Sequence, residues 1–242
     1  MEINHIASGS SGNCITVSDG HSMLVLDAGL PYKKLAREIR FSTVAGVLIS
    51  HEHQDHCKAG IELQRRGVPV YMSHGTWVNL NVEVVMDTPV FISHLNQIEI
   101  GSWVVLPFRL NHDVAEPMGF LFASRKTNDK GVYIIDSGYV EYDFTGITHW
   151  LVEANYSEEL LASSTDHPAL KKRIRANHFS LDDLSTFLKT SDLSGTEEIH
   201  LLHLSSRNSD EEAFKAHIQR LTGVPVYSIS DTKKSEGVLH GA

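Results

Sequence analysis

Val47-Leu48-Ile49-Ser50-His51-Glu52-His53-Gln54-Asp55-His56 opens on an apolar run and closes on three histidines and an aspartate. The apolar part reads as a buried strand, so four potential ligands lie just beyond a strand end. Neutral imidazoles and carboxylates suit borderline divalent ions such as zinc, and additional oxygen ligands also admit manganese. In an extended segment His51 and His53 share one face and Asp55 follows them. A tight loop after His53 instead turns Asp55 and His56 toward a second ion. A polar loop in a histidine-rich chain is the plain alternative, but His-x-His-x-Asp-His arises by chance in roughly three of a thousand such chains.

Four more apolar runs end the same way: Leu26-Asp27-Ala28-Gly29, Leu110-Asn111-His112, Ile135-Asp136-Ser137-Gly138 and Leu202-His203-Leu204-Ser205. Alone, a strand-end Asp is a turn-former and a single His a structural residue. Their recurrence at the ends of strand-like runs is the strong evidence for a metal site.

Short β-rich runs at 3–7, 14–17, 23–27, 44–50, 68–72, 103–110, 118–123, 132–136, 150–153, 199–204 and 224–229 predict strands. Helical patterns cover 32–40, 59–66, 157–162, 181–189 and 210–221, with Ser180 and Ser209 as N-caps and Gly67 and Gly223 as stops. The polar stretch 124–130 reads as a hairpin loop. Strand–helix–strand units at 44–72 and 199–229 predict two β-layers flanked by helices, an α/β class. With no repeat or linker, one domain over 1–242 is expected.

Of the 242 residues, 41% are hydrophobic and 21% charged, and no apolar stretch is long enough to span a membrane. The start, Met1-Glu2-Ile3-Asn4-His5, lacks the basic and apolar regions of a secretory signal, which predicts a cytoplasmic location. Cys14 and Cys57 are too few for a disulfide framework, and Cys57 beside a complete ligand set is read as packing. The formal charge of -9 argues against a broad basic footprint for nucleic acid, although bound ions are omitted from that sum. The 15 histidines are the unusual feature of the composition.

In this order the motifs Asp27, His51/His53/Asp55/His56, His112, Asp136 and His203 resemble the metallo-β-lactamase superfamily over nearly the whole chain. That resemblance implies an αββα sandwich of two mixed β-sheets with its metal site at the strand ends. It implies one divalent ion on His51, His53 and His112, a second on Asp55, His56 and His203, and Asp136 bridging both. Asp27 would hold the ligand loop, as buried partners of metal ligands commonly do. Ala7-Ser8-Gly9-Ser10-Ser11-Gly12-Asn13, Glu153-Ala154-Asn155-Tyr156 and His203-Leu204-Ser205-Ser206-Arg207-Asn208 resemble the WalJ/YycJ-type, exonuclease-like branch. Asn177-His178-Phe179-Ser180 departs from that branch's usual Gly-His-Leu-Ser. The branch makes Ser10, Ser11, Asn13, Ser205 and Asn208 candidate supporting or substrate-binding residues.

Two ions roughly 3.5–4 Å apart would share a water, lower its pKa toward 7 and stabilise an in-line displacement at phosphorus. Asp55 is the candidate to orient that water or take its proton. His178, just before the helix at 181–189, is the candidate to place a phosphate oxygen or protonate the leaving group. Lys171, Lys172, Arg173 and Arg175 either bind backbone phosphates or form a solvated helix face. The expected activity is a dinuclear phosphodiesterase of DNA-exonuclease type, acting on nucleic acid or nucleotide, with no membrane partner and room for a homo-oligomer. A cyclic-nucleotide phosphodiesterase and a glyoxalase II-like thioesterase or lactonase share the ligand motifs and remain alternatives. A metal-stapled binding module would use closed four-ligand sites, whereas seven candidate ligands leave room for water.

Overall fold

The structure is a computed structural model that describes residues 1–80 and 88–231; the expected domain 1–242 includes 81–87 and 232–242, which lie outside the described residues. In chain order, the first part comprises β1 (Glu2–Ala7), β2 (Cys14–Ser18), β3 (Met23–Leu26), α1 (Tyr32–Glu38), a 3-10 turn (Phe41–Thr43), β4 (Val44–Leu48), α2 (Gln54–Cys57), α3 (Gly60–Arg65), β5 (Val70–Ser73), α4 (His74–Asn79) and β6 (Val90–Ile92). The second comprises β7 (Ile98–Ile100), β8 (Trp103–Arg109), β9 (Met118–Ser124), β10 (Lys130–Ile134), β11 (His149–Glu153), α5 (Glu158–Ser163), α6 (Pro168–Asn177), α7 (Leu181–Thr190), β12 (Glu198–Leu202), α8 (Glu211–Thr222) and β13 (Val226–Tyr227).

Each part builds one mixed sheet. The first runs β1-β2-β3-β4-β5-β6 and the second β13-β12-β11-β10-β9-β8-β7. In the first sheet β1, β2 and β3 pair antiparallel and the strands from β3 to β6 pair parallel. In the second, β7 to β10 pair antiparallel and β10 to β13 parallel.

Alternation along the strands builds three apolar layers. Leu24 and Leu26 on β3 join Tyr133 on β10 and Ile135 just beyond it in the core between the sheets, with Trp103, Phe120 and Phe122. Val25 points the other way, into a layer with Leu35 of α1 and Leu63 of α3. On the far side Val132 and Ile134 pack with Leu184 and Leu188 of α7 and Phe214 and Ile218 of α8. The result is the expected αββα sandwich. Among the described residues no helix is long and apolar enough to cross a membrane.

The differences from expectation are local. The N-cap of α8 is Asp210, whose side chain accepts from the Ala213 N–H; Ser209 instead donates its hydroxyl to the Ser205 carbonyl. Helix α6 has only Leu170 and Ile174 as large apolar residues, so its periodicity is weak in the sequence. The short edge strands β6 and β7 and the six-residue α4 carry too few residues to show a period.

Candidate metal centre

The parallel strands set the site. Asp27 follows β3, Ser50 and His51 follow β4, Asp136 follows β10, Glu153 ends β11 and His203 follows β12, so all sit at C-terminal strand ends. His112 arrives from β8. Three of these residues leave their strands in the left-handed region: Asp27 at φ 58, Asp136 at φ 47 and His203 at φ 50. Non-glycine residues adopt it at a cost of order 1–3 kcal/mol, and such strain clusters at functional sites.

The ligand atoms of His51, His53, His112 and Asp136 lie within 4.8 Å of one another, as do those of Asp55, His56 and His203. Asp136 reaches both groups: Oδ2 lies 3.6 Å from His51 Nε2, 3.8 Å from His112 Nε2 and 3.3 Å from His56 Nε2, and Oδ1 lies 2.6 Å from His203 Nδ1. The seven residues singled out in the sequence therefore meet in one place, and a further group of Asp136, Glu153, His178 and His203 overlaps both. His203 Nε2 is buried without a hydrogen-bond partner, 3.8 Å from Asp55 Oδ2. A buried, unpaired imidazole nitrogen facing a carboxylate fits a cation between them. Burial opposes ionisation of Asp136, yet His203 and His56 hold its carboxyl well below the usual range. Burial, then neighbouring His56, pushes His51 well below the ordinary imidazole value, so it offers a lone pair.

Two buried carboxylates orient these ligands. Asp27 accepts from the Ser50 N–H at 2.7 Å, the Ser50 hydroxyl at 2.9 Å and the Tyr133 hydroxyl at 2.8 Å, and pairs with His56 Nδ1 at 2.7 Å. His56 Nε2 is thereby turned toward Asp55 and Asp136. Glu153 was not among the expected site residues. Its Oε1 pairs with His203 Nδ1 at 2.9 Å and with His178 Nδ1 at 2.7 Å, while Oε2 accepts from the Ser137 and Phe179 N–H groups. An acid ending a buried parallel strand, as Asp136 nearly does, was the available signal. Burial opposes protonation of His178, but Glu153 raises its pKa above the ordinary imidazole value.

The profile of the β-lactamase superfamily domain matches residues 24–203. The chain belongs to that superfamily. It is 29% identical over 237 residues to exodeoxyribonuclease YycJ of Bacillus anthracis, covering 91% of this chain and 89% of that one. It is 30% identical over 224 residues to exodeoxyribonuclease WalJ of Streptococcus pneumoniae D39, covering 86% and 82%. The metallo-β-lactamase fold protein YhfI of Bacillus subtilis superposes with a TM-score of 0.70 at 16% identity, over 93% of this chain and 95% of that one. The protein is a metallo-β-lactamase-fold hydrolase with a His/Asp cluster able to bind metal.

The open end of this superfamily site is a cavity of about 180 Å³ lined by Ser10, His53, Asp55, His112, Asp136 and His203, with His178 and residues of α6 on one wall. Asn13 packs on the ligand loop, its Nδ2 3.0 Å from His56 Nε2, and its Oδ1 accepts from the Gly9 N–H. Ser11 is exposed and does not line the cavity. Ser205 and Asn208 do not line it either: the Ser205 hydroxyl accepts from the Asn208 N–H and so closes the turn after His203. His178 caps the C-terminus of α6 and is aimed by Glu153, while the N-terminus of α7 is closed by the Ser180–Asp183 capping box. The helix end is thus not its phosphate partner. The basic cluster is mostly engaged: Lys171 donates to the Ala162 and Ser164 carbonyls, and Arg175 pairs with Glu158. Cys57 donates to the Glu52 carbonyl, as packing requires.

Proposed function

We propose that the chain, one hydrolase domain over 1–242, is a two-metal phosphodiesterase that shortens DNA as an exonuclease. The carrying observation is the cavity in which both ligand groups face an imidazole, His178, held by a buried carboxylate. His51, His53 and His112 would hold one ion, Asp55, His56 and His203 the other, and Asp136 both; manganese and zinc suit this set of nitrogens and oxygens. When bound, the ions supply positive charge and Lewis acidity at the scissile phosphate.

The side chains supply the rest. Glu153 accepts from Nδ1, so His178 in its protonated form presents Nε2–H as a donor for a leaving oxygen. Asp55, less buried than the other carboxylates at 26% exposure, is the candidate to orient the attacking water. Asp27 and Asn13 fix the ligand loop on which His56 depends. The DNA exonuclease names of the relatives support the substrate class. A cyclic nucleotide is the second reading, favoured by the formal charge of -9.

Manganese- or zinc-loaded protein should degrade end-labelled DNA faster than RNA, cyclic nucleotides or a thioester. A thioester turned over faster than any phosphodiester overturns the reading. His178→Ala should lower turnover by roughly 10²–10⁴-fold with metal content retained. Loss of metal in that variant would make His178 a ligand, and unchanged turnover would remove it from the chemistry.

A further inference from the structure

The wall of the cavity contributed by α6 has its own chemistry. Leu170, Arg173 and Ile174 line it together with the ligands. Spacings of three and four residues put them on one helix face. Leu170 is 45% exposed, an apolar surface beside the candidate metal site. Arg173 makes a two-pronged contact with Asp113, Nε to Oδ2 at 3.1 Å and an Nη to Oδ1 at 3.4 Å, with both side chains about half exposed. Asp113 adjoins His112 and is itself held by the Asn177 side chain, which accepts from its N–H at 2.9 Å.

We propose that Arg173 is a clamp for a second substrate phosphate, next to the scissile one, and that Asp113 occupies it until that phosphate arrives. The inference rests on the phosphodiesterase reading. A guanidinium fork matches a phosphate as well as it matches a carboxylate, and a solvent-exposed pair is weak enough to exchange. Lys171 and Arg175 are committed to α5 and the turn after it, and of the four α6 cations Arg173 is the one that lines the cavity. The scissile phosphate belongs to the ligand groups, so the phosphate taken by Arg173 is a flanking one, with Leu170 and Ile174 against the intervening sugar or base. Such a substrate is a polynucleotide and not a cyclic mononucleotide. Asp113 then raises the threshold for entry, favouring chains whose flanking charge displaces it.

The two residues therefore have opposite expected effects. On a short single-stranded oligodeoxynucleotide with the manganese-loaded full chain, Arg173→Ala should raise KM about tenfold with kcat retained. Asp113→Asn should lower KM by about threefold, the scale of a released surface pair. The double variant should match Arg173→Ala, because Asp113 acts through Arg173. The salt dependence of log(1/KM) should flatten by roughly 0.7 in Arg173→Ala, one single-strand phosphate contact. Both single variants moving KM in the same direction, or changing only kcat, would show a merely structural pair and overturn the inference. A wild-type protein that cleaves thioesters but no oligonucleotide would instead overturn the functional reading beneath it.

Discussion

At the residue scale the candidate site depends on the buried carboxylates of Asp27 and Glu153 as much as on the two ligand groups beside them. Asp27 is fully buried, accepts from Ser50 just beyond β4 and from Tyr133 on β10, and pairs with His56 on the ligand loop. Replacing it by alanine leaves the Ser50 N–H, the Tyr133 hydroxyl and His56 Nδ1 without their acceptor in a dry interior. Asp27→Ala should cost about 3–5 kcal/mol in denaturant unfolding, the range for removing one partner of a buried pair. A loss under about 1 kcal/mol, in the range of a surface substitution, would contradict it. The role of Asp27 was legible because it ends an apolar run in the right order. That of Glu153 was missed because its residue closes β11 and reads as one more strand position; only the fold places its oxygens between His178 and His203.

At the element scale, close approach of backbones decides the geometry. A Cβ on Gly29 would stand 1.7 Å from the Asp55 carbonyl oxygen, where the turn after β3 meets the ligand loop. No side chain fits, so Gly29→Ala must push Asp55 and His56 away from Asp136. The expected outcome is loss of metal from the Asp55, His56 and His203 group, measured as roughly halved metal content by elemental analysis. Full metal content in that variant would show that the loop shifts as a unit. The strands that carry the site were legible because each is a buried apolar run ending in a ligand. Helix α6 was not, because it turns mostly charged residues to solvent and anchors itself through Lys171 and Asn177. Its basic residues read as one cluster in the sequence, yet Lys171, Arg173 and Arg175 each point to a different acidic or carbonyl partner in the fold.

At the scale of the whole molecule, the two sheets are also joined outside the cavity's lining, by a histidine pair. His5 on β1 and His200 on β12 approach at 2.8 Å, and His200 Nε2 lies 3.0 Å from Glu198 Oε2. Glu198 accepts the Nε2–H of His200, so His200 Nδ1 accepts from His5, whose own Nδ1 is buried without a partner. Burial, and then the neighbouring His200, push the His5 pKa down from 6.5 to about 3. Because the folded value lies below the unfolded one, the unfolded chain takes up this proton first. Stability is unaffected above about pH 6.5 and falls as pH drops from there toward 3. His5→Gln, which keeps a donor toward His200, should reduce the stability lost between pH 7 and pH 4 by roughly 2–3 kcal/mol, measured by urea unfolding of metal-free protein. Parallel pH profiles for the two proteins would contradict this. The division of the chain into one sheet closed by Ile92 and another opened at Ile98 bears on the order in which the ligand groups are completed in a growing chain. The nascent first sheet carries His51, His53, Asp55 and His56 but lacks the histidine and the aspartate that complete either cluster. Emergence of Asp136 from the ribosome completes the first cluster, whereas the second waits for His203, after α7 and β12 have been made. On the two-metal proposal, the three-histidine ligand set is therefore complete in the growing chain before the set that contains Asp55.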